Sequence, residues 1–161
     1  MVDGYVFREV PRFSDVDAVA SILKTSGFFN TEEVEVGVSL VTERLQKGED
    51  CGYFFQFAQW GNKLRGYTCF GPIPGTQSSY DLYWIAVDMV HRGQGLGTQL
   101  LQHTEEEIAK RQGKRIYIET SSTPLYRPTR SFYEHNGYRL EAQLEDYYAP
   151  SDDKLMYVKV L

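Results

Sequence analysis

The sequence predicts a mixed α/β (α+β) fold in which one sheet carries helices on both faces. Three observations support this prediction. Apolar residues recur at helical spacing in two segments near the N-terminus, two aromatic-rich runs joined by a tight turn follow them, and a strand–helix–strand unit occupies the second half. A length of 161 residues is typical of one domain, so we expect residues 1–161 to form a single domain.

The two helices of the first half are predicted from their capping residues. Ser14 can cap the first helix, and Gly27 can end it. Asn30, followed three residues later by Glu33, predicts a capping box at the start of the second helix, which ends near Gly48. Both segments place apolar residues three or four positions apart, as is typical of helices that pack one face against a sheet.

Runs rich in β-branched and aromatic residues predict strands at about 5–10, 53–60, 64–70, 80–87, 115–120, 138–146 and 155–160. Gly61 and Asn62 predict a hairpin between the second and third strands. A helix over about 95–112 joins the fourth and fifth strands, which predicts a right-handed crossover between parallel strands. A short helix opens at Arg127, and a polar loop over about 149–154 separates the last two strands.

Composition disfavours several classes of protein. Hydrophobic residues make up 42% and charged residues 24% of the chain, which is typical of a soluble globular protein, and the formal charge of −5 disfavours a nucleic-acid partner. Because no apolar run could span a membrane and the first residues do not resemble a signal peptide, we expect a cytoplasmic protein without a membrane partner. The hairpin register separates Cys51 from Cys69 by more than a disulfide allows, which fits a reducing compartment. The spacing of the three histidines predicts no metal site.

A glycine-rich turn, His91-Arg-Gly-Gln-Gly-Leu-Gly-Thr98, lies between a predicted strand and a predicted helix. Glycines at 93, 95 and 97 let the backbone adopt positive φ and let several N–H groups point into one concavity at the helix N-terminus. Arg92 adds a positive charge suited to phosphate oxygens. The turn therefore predicts a site for an anion, and a pyrophosphate fits it well.

Spacing separates three classes of phosphate-binding loop. The dinucleotide pattern Gly-x-Gly-x-x-Gly fails, because Thr98 and Leu100 stand where it requires glycine, and the chain lacks the Walker string. The pattern that remains is Arg-x-x-Gly-x-Gly, filled by Arg92, Gly95 and Gly97. In this motif the chain resembles the GNAT superfamily of acetyl-CoA-dependent N-acetyltransferases.

A second motif of that superfamily lies at the expected distance, from Ser131 to Tyr138. The resemblance covers nearly the whole chain and implies a GNAT-like fold, whose central sheet is mostly antiparallel with one splayed pair of parallel strands. It also implies that Tyr133 lies near the cofactor sulfur and protonates the departing thiolate, a role open to a phenol with a reference pKa of about 10. The chain departs from the family at Tyr126, where many members carry Asn.

The resemblance implies that acetyl-CoA is the cofactor and that the main chain largely binds it. The strand end formed by Ile85, Ala86 and Val87 would pair with the pantetheine arm, and a backbone N–H near Val87 would polarise the thioester carbonyl. The pyrophosphate would be bound by the turn and the helix start, which comprise Arg92, Gly93, Gln94, Gly95, Leu96, Gly97 and Thr98.

Acetyl transfer to an amine by direct attack in a ternary complex also needs a base. Asp81 and Glu119 lie near the ends of the two central strands, and either could accept the proton directly or through a water. A cationic amine would be attracted by acidic residues of the second helix and the last hairpin, namely Glu32, Glu33, Glu35, Asp146, Asp152 and Asp153.

The acceptor and the assembly are left open by the sequence. A small-molecule amine and a protein N-terminus or lysine are equal alternatives for the acceptor, and a homodimer is an alternative to a monomer. The function also has an alternative from another class, a non-catalytic acyl-CoA-binding sensor or regulatory module. Such a module would bind the cofactor and release no thiol.

Overall fold

The computed structural model describes residues 4–161. Its helices are α1 (Phe13–Thr25), α2 (Thr31–Lys47), α3 (Leu96–Lys110) and α4 (Arg127–His135). Its strands are β1 (Tyr5–Arg8), β2 (Phe54–Trp60), β3 (Lys63–Pro72), β4 (Ser79–Val87), β5 (Arg115–Ser121), β6 (Arg139–Ala149) and β7 (Asp152–Val160). No helix within 4–161 has both the length and the apolar character needed to cross a membrane.

The strands form one sheet in the order β1-β2-β3-β4-β5-β7-β6. The β4–β5 pair is parallel, whereas β1–β2, β2–β3, β5–β7 and β6–β7 are antiparallel. The parallel ladder joins Ser79–Asp81 to Arg115–Tyr117 and ends there, while β4 continues to Val87 and β5 to Ser121. The predicted fold class, with its splayed parallel pair, is confirmed.

The chain divides into two compact units. The first contains the described residues up to Gly71 together with Tyr83–Glu107, and the second contains Pro72–Leu82 and Ile108–Leu161.

Helices cover both faces of the sheet within the first unit. Phe57 packs in a cluster with residues of α1 and α2, whereas the next residue, Ala58, packs with Leu96 and Leu100 of α3. Successive residues of a strand point to opposite faces, so α3 lies on the face opposite α1 and α2. The glycine turn that precedes α3 is therefore held by a helix with a buried apolar stripe.

One predicted helix cap is confirmed and the other is wrong. The Asn30 side chain accepts a hydrogen bond from the Glu33 N–H at 2.8 Å, and the Glu33 carboxylate accepts one from the Asn30 N–H at 2.9 Å. Ser14 does not cap α1, which begins one residue earlier. The carboxylate of Asp15 instead accepts the backbone N–H of Arg12 at 2.6 Å, because an acidic side chain in the first turn can satisfy a free donor there.

The β2–β3 hairpin pairs Trp60 with Lys63, as expected for a turn at Gly61-Asn62. A register shift between Ala58 and Gln59 moves the remaining pairs by one residue. Cys51 and Cys69 are both free thiols.

The second unit contains a longer final hairpin than the sequence predicts. The predicted polar loop over about 149–154 is wrong, because β6 extends to Ala149 and β7 begins at Asp152, with these two residues paired. The turn is closed by local hydrogen bonds, in which the Asp146 carboxylate accepts the Ser151 N–H at 2.8 Å. Polar side chains thus stabilise a tight turn where their composition suggested a loop.

Candidate functional site

The glycine turn leads directly into the N-terminus of α3. Gly93 and Gly95 have φ of 72° and 82°, and the Gly95 carbonyl accepts the first helical hydrogen bond, from Gln99 N–H at 3.1 Å. The N–H groups of Leu96–Thr98 therefore have no acceptor within the helix. Free N–H groups at the positive end of a helix dipole favour an anion.

The space beside the two positive-φ glycines of the turn is open. A Cβ atom built on Gly93 or Gly95 would meet no atom within 4 Å, and both residues hold a conformation that other residues adopt with strain. Gly97 lies within α3, so two of the three glycines provide positive φ. The backbone of the turn is thus open on the side of Gly93 and Gly95, and the predicted diphosphate site there stays a prediction.

Arg92 is anchored beside the turn. Its guanidinium donates to the carbonyl of Ser26 at 3.2 Å and to that of Val87 at 3.4 Å, and it lies 5.4 Å from the Phe28 ring centroid. A guanidinium has five N–H donors, so these contacts leave donors for a phosphate oxygen. The chain thereby holds a cation next to the helix start.

Asp88 supports the turn and was not singled out from the sequence. Its carboxylate accepts the Val90 N–H at 3.3 Å, which caps a short 3₁₀ segment, Met89–His91, and it forms an ion pair with Arg65 at 2.8 Å. An Asp directly after a strand and before a glycine turn is a capping signal that could have identified it.

Tyr133 lies on α4 in the second unit and is 5% exposed. Its ring packs against those of Tyr138 and Tyr157, with centroids 6.0 and 6.2 Å away. Burial, with a smaller contribution from Tyr126, raises the pKa of the Tyr133 phenol well above its usual value. The phenol is consequently protonated throughout the neutral range.

Arg130 fixes α4 to the end of β5. Its Nη1 donates to the carbonyls of Ser121 and Thr123 at 2.8 and 2.9 Å. The side chain of Ser121 is bonded in turn to Asp152 at 2.5 Å. These contacts hold the segment that precedes α4 and so help to orient Tyr133, one helical turn beyond Arg130.

Asp81 and Glu119 lie on the same face of the sheet. Asp81 pairs with Tyr117 in the parallel ladder, and Glu119 lies two residues beyond Tyr117. Burial, and to a smaller extent the Glu119 charge, raise the pKa of the Asp81 carboxyl to about 6, although Lys154 acts to lower it. Asp81 thus changes its protonation state close to neutral pH.

Glu119 is engaged in an ion pair. Its carboxylate lies 2.9 Å from the ammonium of Lys154, which is itself 4.5 Å from the Tyr147 ring centroid. Lys154 was not predicted as part of the site, because it was assigned to a loop. Successive side chains of a strand point to opposite faces of the sheet. Extending β7 by one residue before Leu155 would therefore have placed Lys154 in the strand, on the other face from Leu155.

A model of the acetyltransferase (GNAT) family matches residues 17–138. The chain belongs to this family. The matched span contains the glycine turn and Tyr133, so the family predicted from the two motifs is confirmed.

Other comparisons place this GNAT chain among named acetyltransferases. It is 39% identical to a structure described as an acetyltransferase of the GNAT family from Desulfovibrio desulfuricans, with a TM-score of 0.96 over 97% of this chain and 98% of that one. An aminoglycoside 6'-N-acetyltransferase complexed with coenzyme A shares the fold, with a TM-score of 0.76 and 21% identity over 96% of each chain. The uncharacterized N-acetyltransferase YsnE of Bacillus subtilis (strain 168) is 37% identical over 57 residues, which are 35% of this chain and 38% of YsnE.

Several acidic residues that were predicted to attract a cationic acceptor serve the local structure of this GNAT chain. Glu33 completes the α2 capping box, Asp152 accepts from Ser121, and Asp153 accepts the Asp146 N–H at 2.9 Å and the Gln143 side chain at 2.5 Å. The hydrogen bonds to Asp153 lower the pKa of its carboxyl. These three carboxylates are thus held by internal partners.

The three histidines each have a contact of their own. His91 Nδ1 lies 2.5 Å from the Tyr5 hydroxyl, His103 stacks on Phe7 with centroids 3.9 Å apart, and His135 Nδ1 lies 2.6 Å from the Ser131 carbonyl. Within residues 4–161, no group of three or more His, Cys, Asp or Glu residues is arranged to hold a metal ion.

Proposed function

We propose that this GNAT protein transfers an acetyl group from acetyl-CoA to a primary amine by direct attack in a ternary complex. The main support for the proposal is the turn at Gly93 and Gly95. Both glycines have positive φ, and the turn leads into the first N–H groups of α3, which have no acceptor within the helix. The family to which this chain belongs is a family of acetyltransferases.

Cofactor binding is assigned largely to main-chain groups, together with the Arg92 side chain. Arg92, with the backbone from Gly93 to Thr98, binds the diphosphate of acetyl-CoA, and the strand end Ile85–Val87 binds the pantetheine arm. Support comes from the parallel ladder, which ends at Asp81 and Tyr117 and leaves β4 to continue without that pairing. On the β5 side of β4, backbone N–H and C=O groups beyond the ladder need other partners, and the amides of pantetheine provide them. The Val87 carbonyl already accepts from Arg92.

Tyr133 is assigned as the proton donor. Acetyl-CoA supplies the acetyl group as a thioester; transfer forms a C–N bond, breaks the C–S bond and leaves a thiolate that needs a proton. Burial keeps the Tyr133 phenol protonated and so ready to donate. The same burial makes the phenol a weaker acid. Its proton is therefore transferred only when the sulfur has become basic, as negative charge develops on it.

Asp81 is assigned as the base in preference to Glu119. Glu119 is 46% exposed and is paired with Lys154, so proton uptake there would have to break an ion pair. Asp81 has a pKa of about 6, which leaves it ionised at neutral pH yet basic enough to take the amine proton, directly or through a water. Solvent then carries that proton away and restores Tyr133, which balances the cycle.

The acceptor class is a primary amine, either of a small molecule or of a protein N-terminus or lysine. The fold is shared with a protein named for aminoglycoside acetylation, which makes polyamine-like cations reasonable first probes. We also propose that the chain forms one domain, supported by the family match, which runs through segments of both compact units. A single calorimetric transition, with equal calorimetric and van't Hoff enthalpies, is the expected result.

The deciding experiment measures thiol release from acetyl-CoA across a panel of aminoglycosides, polyamines, amino acids and short peptides. Release that depends on one of these amines supports the transferase. Tight binding of acetyl-CoA with no release above background on any amine supports the alternative, a sensor module. No binding of coenzyme A at millimolar concentration would overturn both.

A further inference from the structure

Thr120 of β5 carries a buried hydroxyl without a partner. The residue is 5% exposed, and its Oγ1 has no hydrogen-bond partner among the described residues. The other buried threonines of the described chain, Thr68 and Thr104, bond each other at 2.7 Å. A buried hydroxyl without a partner is disfavoured against an apolar group of the same shape, so its presence needs an explanation.

Thr120 faces the helix layer that contains Tyr133. In the β5–β7 ladder Ile118 pairs with Tyr157, and Thr120, two residues further on, lies on the same face. The ring of Tyr157 contacts that of Tyr133, with centroids 6.2 Å apart. The hydroxyl is therefore on the side of the sheet that carries the proposed proton donor.

Thr120 lies near the end of β5, beyond the part of the strand that pairs with β4. Thr120 lies three residues beyond Tyr117, where the parallel ladder with β4 ends. The hydroxyl of the next residue, Ser121, is bonded to both Asp152 and Thr123, and its carbonyl accepts from Arg130. The protein thus satisfies the polar groups immediately after Thr120 but not the hydroxyl of Thr120 itself.

We propose that the Thr120 hydroxyl forms a hydrogen bond with the pantetheine arm of bound acetyl-CoA. This inference rests on the proposed function, because it takes acetyl-CoA as the ligand. Pantetheine offers amide N–H and C=O groups, a hydroxyl and the thioester carbonyl, and a threonine hydroxyl can donate or accept. Thr120 is then a specific side-chain contact in a site otherwise assigned largely to main chain.

The test compares Thr120→Val, which keeps the shape and removes the hydroxyl, with Thr120→Ser, which keeps the hydroxyl. Calorimetry measures the binding of coenzyme A and of 3'-phospho-ADP, which keeps the diphosphate and lacks the pantetheine arm. We expect Thr120→Val to weaken coenzyme A binding about three- to tenfold and to leave 3'-phospho-ADP binding unchanged. Thr120→Ser should stay within about twofold of wild type for both ligands.

Stability of the ligand-free protein provides an independent readout. Removal of an unsatisfied hydroxyl should leave the melting temperature of Thr120→Val unchanged or raised, whereas a hydroxyl with a structural partner would lower it. Thr120→Ala, which also lacks the hydroxyl, supplies the binding data if the valine variant does not fold.

Two results would overturn this inference without affecting the proposed function. One is equal coenzyme A affinity for wild type and Thr120→Val, as expected if an internal water satisfies the hydroxyl. The other is an equal loss of affinity for both ligands in Thr120→Val. Wild-type protein that binds neither ligand would instead overturn the proposed function, and this inference with it.

Discussion

The ammonium of Lys154 lies 2.9 Å from the carboxylate of Glu119, and the lysine side chain is only 12% exposed. The pair is reinforced by the Tyr147 ring, 4.5 Å from the ammonium. Glu119 thus has a cation of its own, whereas Asp81 on the same face has a pKa raised by burial. The two carboxylates that were equivalent in the sequence differ in their surroundings, and this difference gives the first prediction.

Replacement of Asp81 by Asn should abolish most of the turnover. Removal of a general base lowers rates by about 10²- to 10⁴-fold, and we expect a loss in that range for Asp81→Asn with little change in coenzyme A affinity. The measurement is thiol release at saturating acetyl-CoA. Glu119→Gln is the matched control and should retain its rate to within about threefold; the reverse order of effects would assign the base to Glu119.

Asp81 should also make stability depend on pH. Its folded pKa of about 6 exceeds the ordinary value of 3.8, so the folded state binds more protons than the unfolded chain between these values. The contribution of Asp81 to the free energy of unfolding therefore falls as pH rises from about 4 to 6. In urea titrations at pH 4, 6 and 8, Asp81→Asn should gain stability over wild type across that window, by about 1 kcal/mol when solvent screening is allowed for. A difference that does not change with pH would contradict the raised pKa.

Replacement of Tyr133 by Phe should lower turnover and spare cofactor binding. Loss of a general acid predicts a decrease of about 100-fold or more in kcat, while the retained ring keeps the packing against Tyr138 and Tyr157. Steady-state kinetics and calorimetry with coenzyme A check the two parts. Tyr138→Phe, which removes a hydroxyl from the same aromatic cluster, should leave the rate unchanged. An unaltered rate for Tyr133→Phe would remove Tyr133 from the acid role.

Valine at position 95 should abolish coenzyme A binding. Gly95 has φ of 82°, and a side chain there would project into the open space next to the helix start. Gly75 is a matched control, because its φ is 79° and its Cβ position is also open. Both Gly95→Val and Gly75→Val should lose about 1–2 kcal/mol of stability from backbone strain, but only the first should lose cofactor affinity. Retained affinity in Gly95→Val would contradict the diphosphate assignment.

Local signals in the sequence predicted the features that depend on neighbouring residues. The capping box of Asn30 and Glu33 and the glycine turn before α3 both formed as expected, because each is determined within a few residues. Ser14 failed as a cap because α1 begins at Phe13, so Ser14 lies inside the first turn, where Asp15 accepts the N–H of Arg12. A sequence pattern alone does not show at which of several neighbouring residues a helix begins.

Features that depend on a distant partner were harder to predict. The segment at 149–154 has the composition of a loop, yet pairing with β6 extends β7 through it. Lys154 was therefore missed, although it neutralises Glu119 and lowers the pKa of Asp81. The choice between Asp81 and Glu119 likewise depends on burial, which no local pattern reveals.

Arg130 donates two hydrogen bonds to the carbonyls of Ser121 and Thr123, and these form a tie between α4 and the end of β5. The tie requires a fixed number of residues between β5 and Arg130. A deletion or insertion between 121 and 130 would break this tie and rotate the helix about its axis, so that residue 133 would point elsewhere. Substitutions at the exposed positions within that segment, such as Leu125 at 54% exposure, leave the tie intact. In this protein the length of the segment is consequently more constrained than its composition.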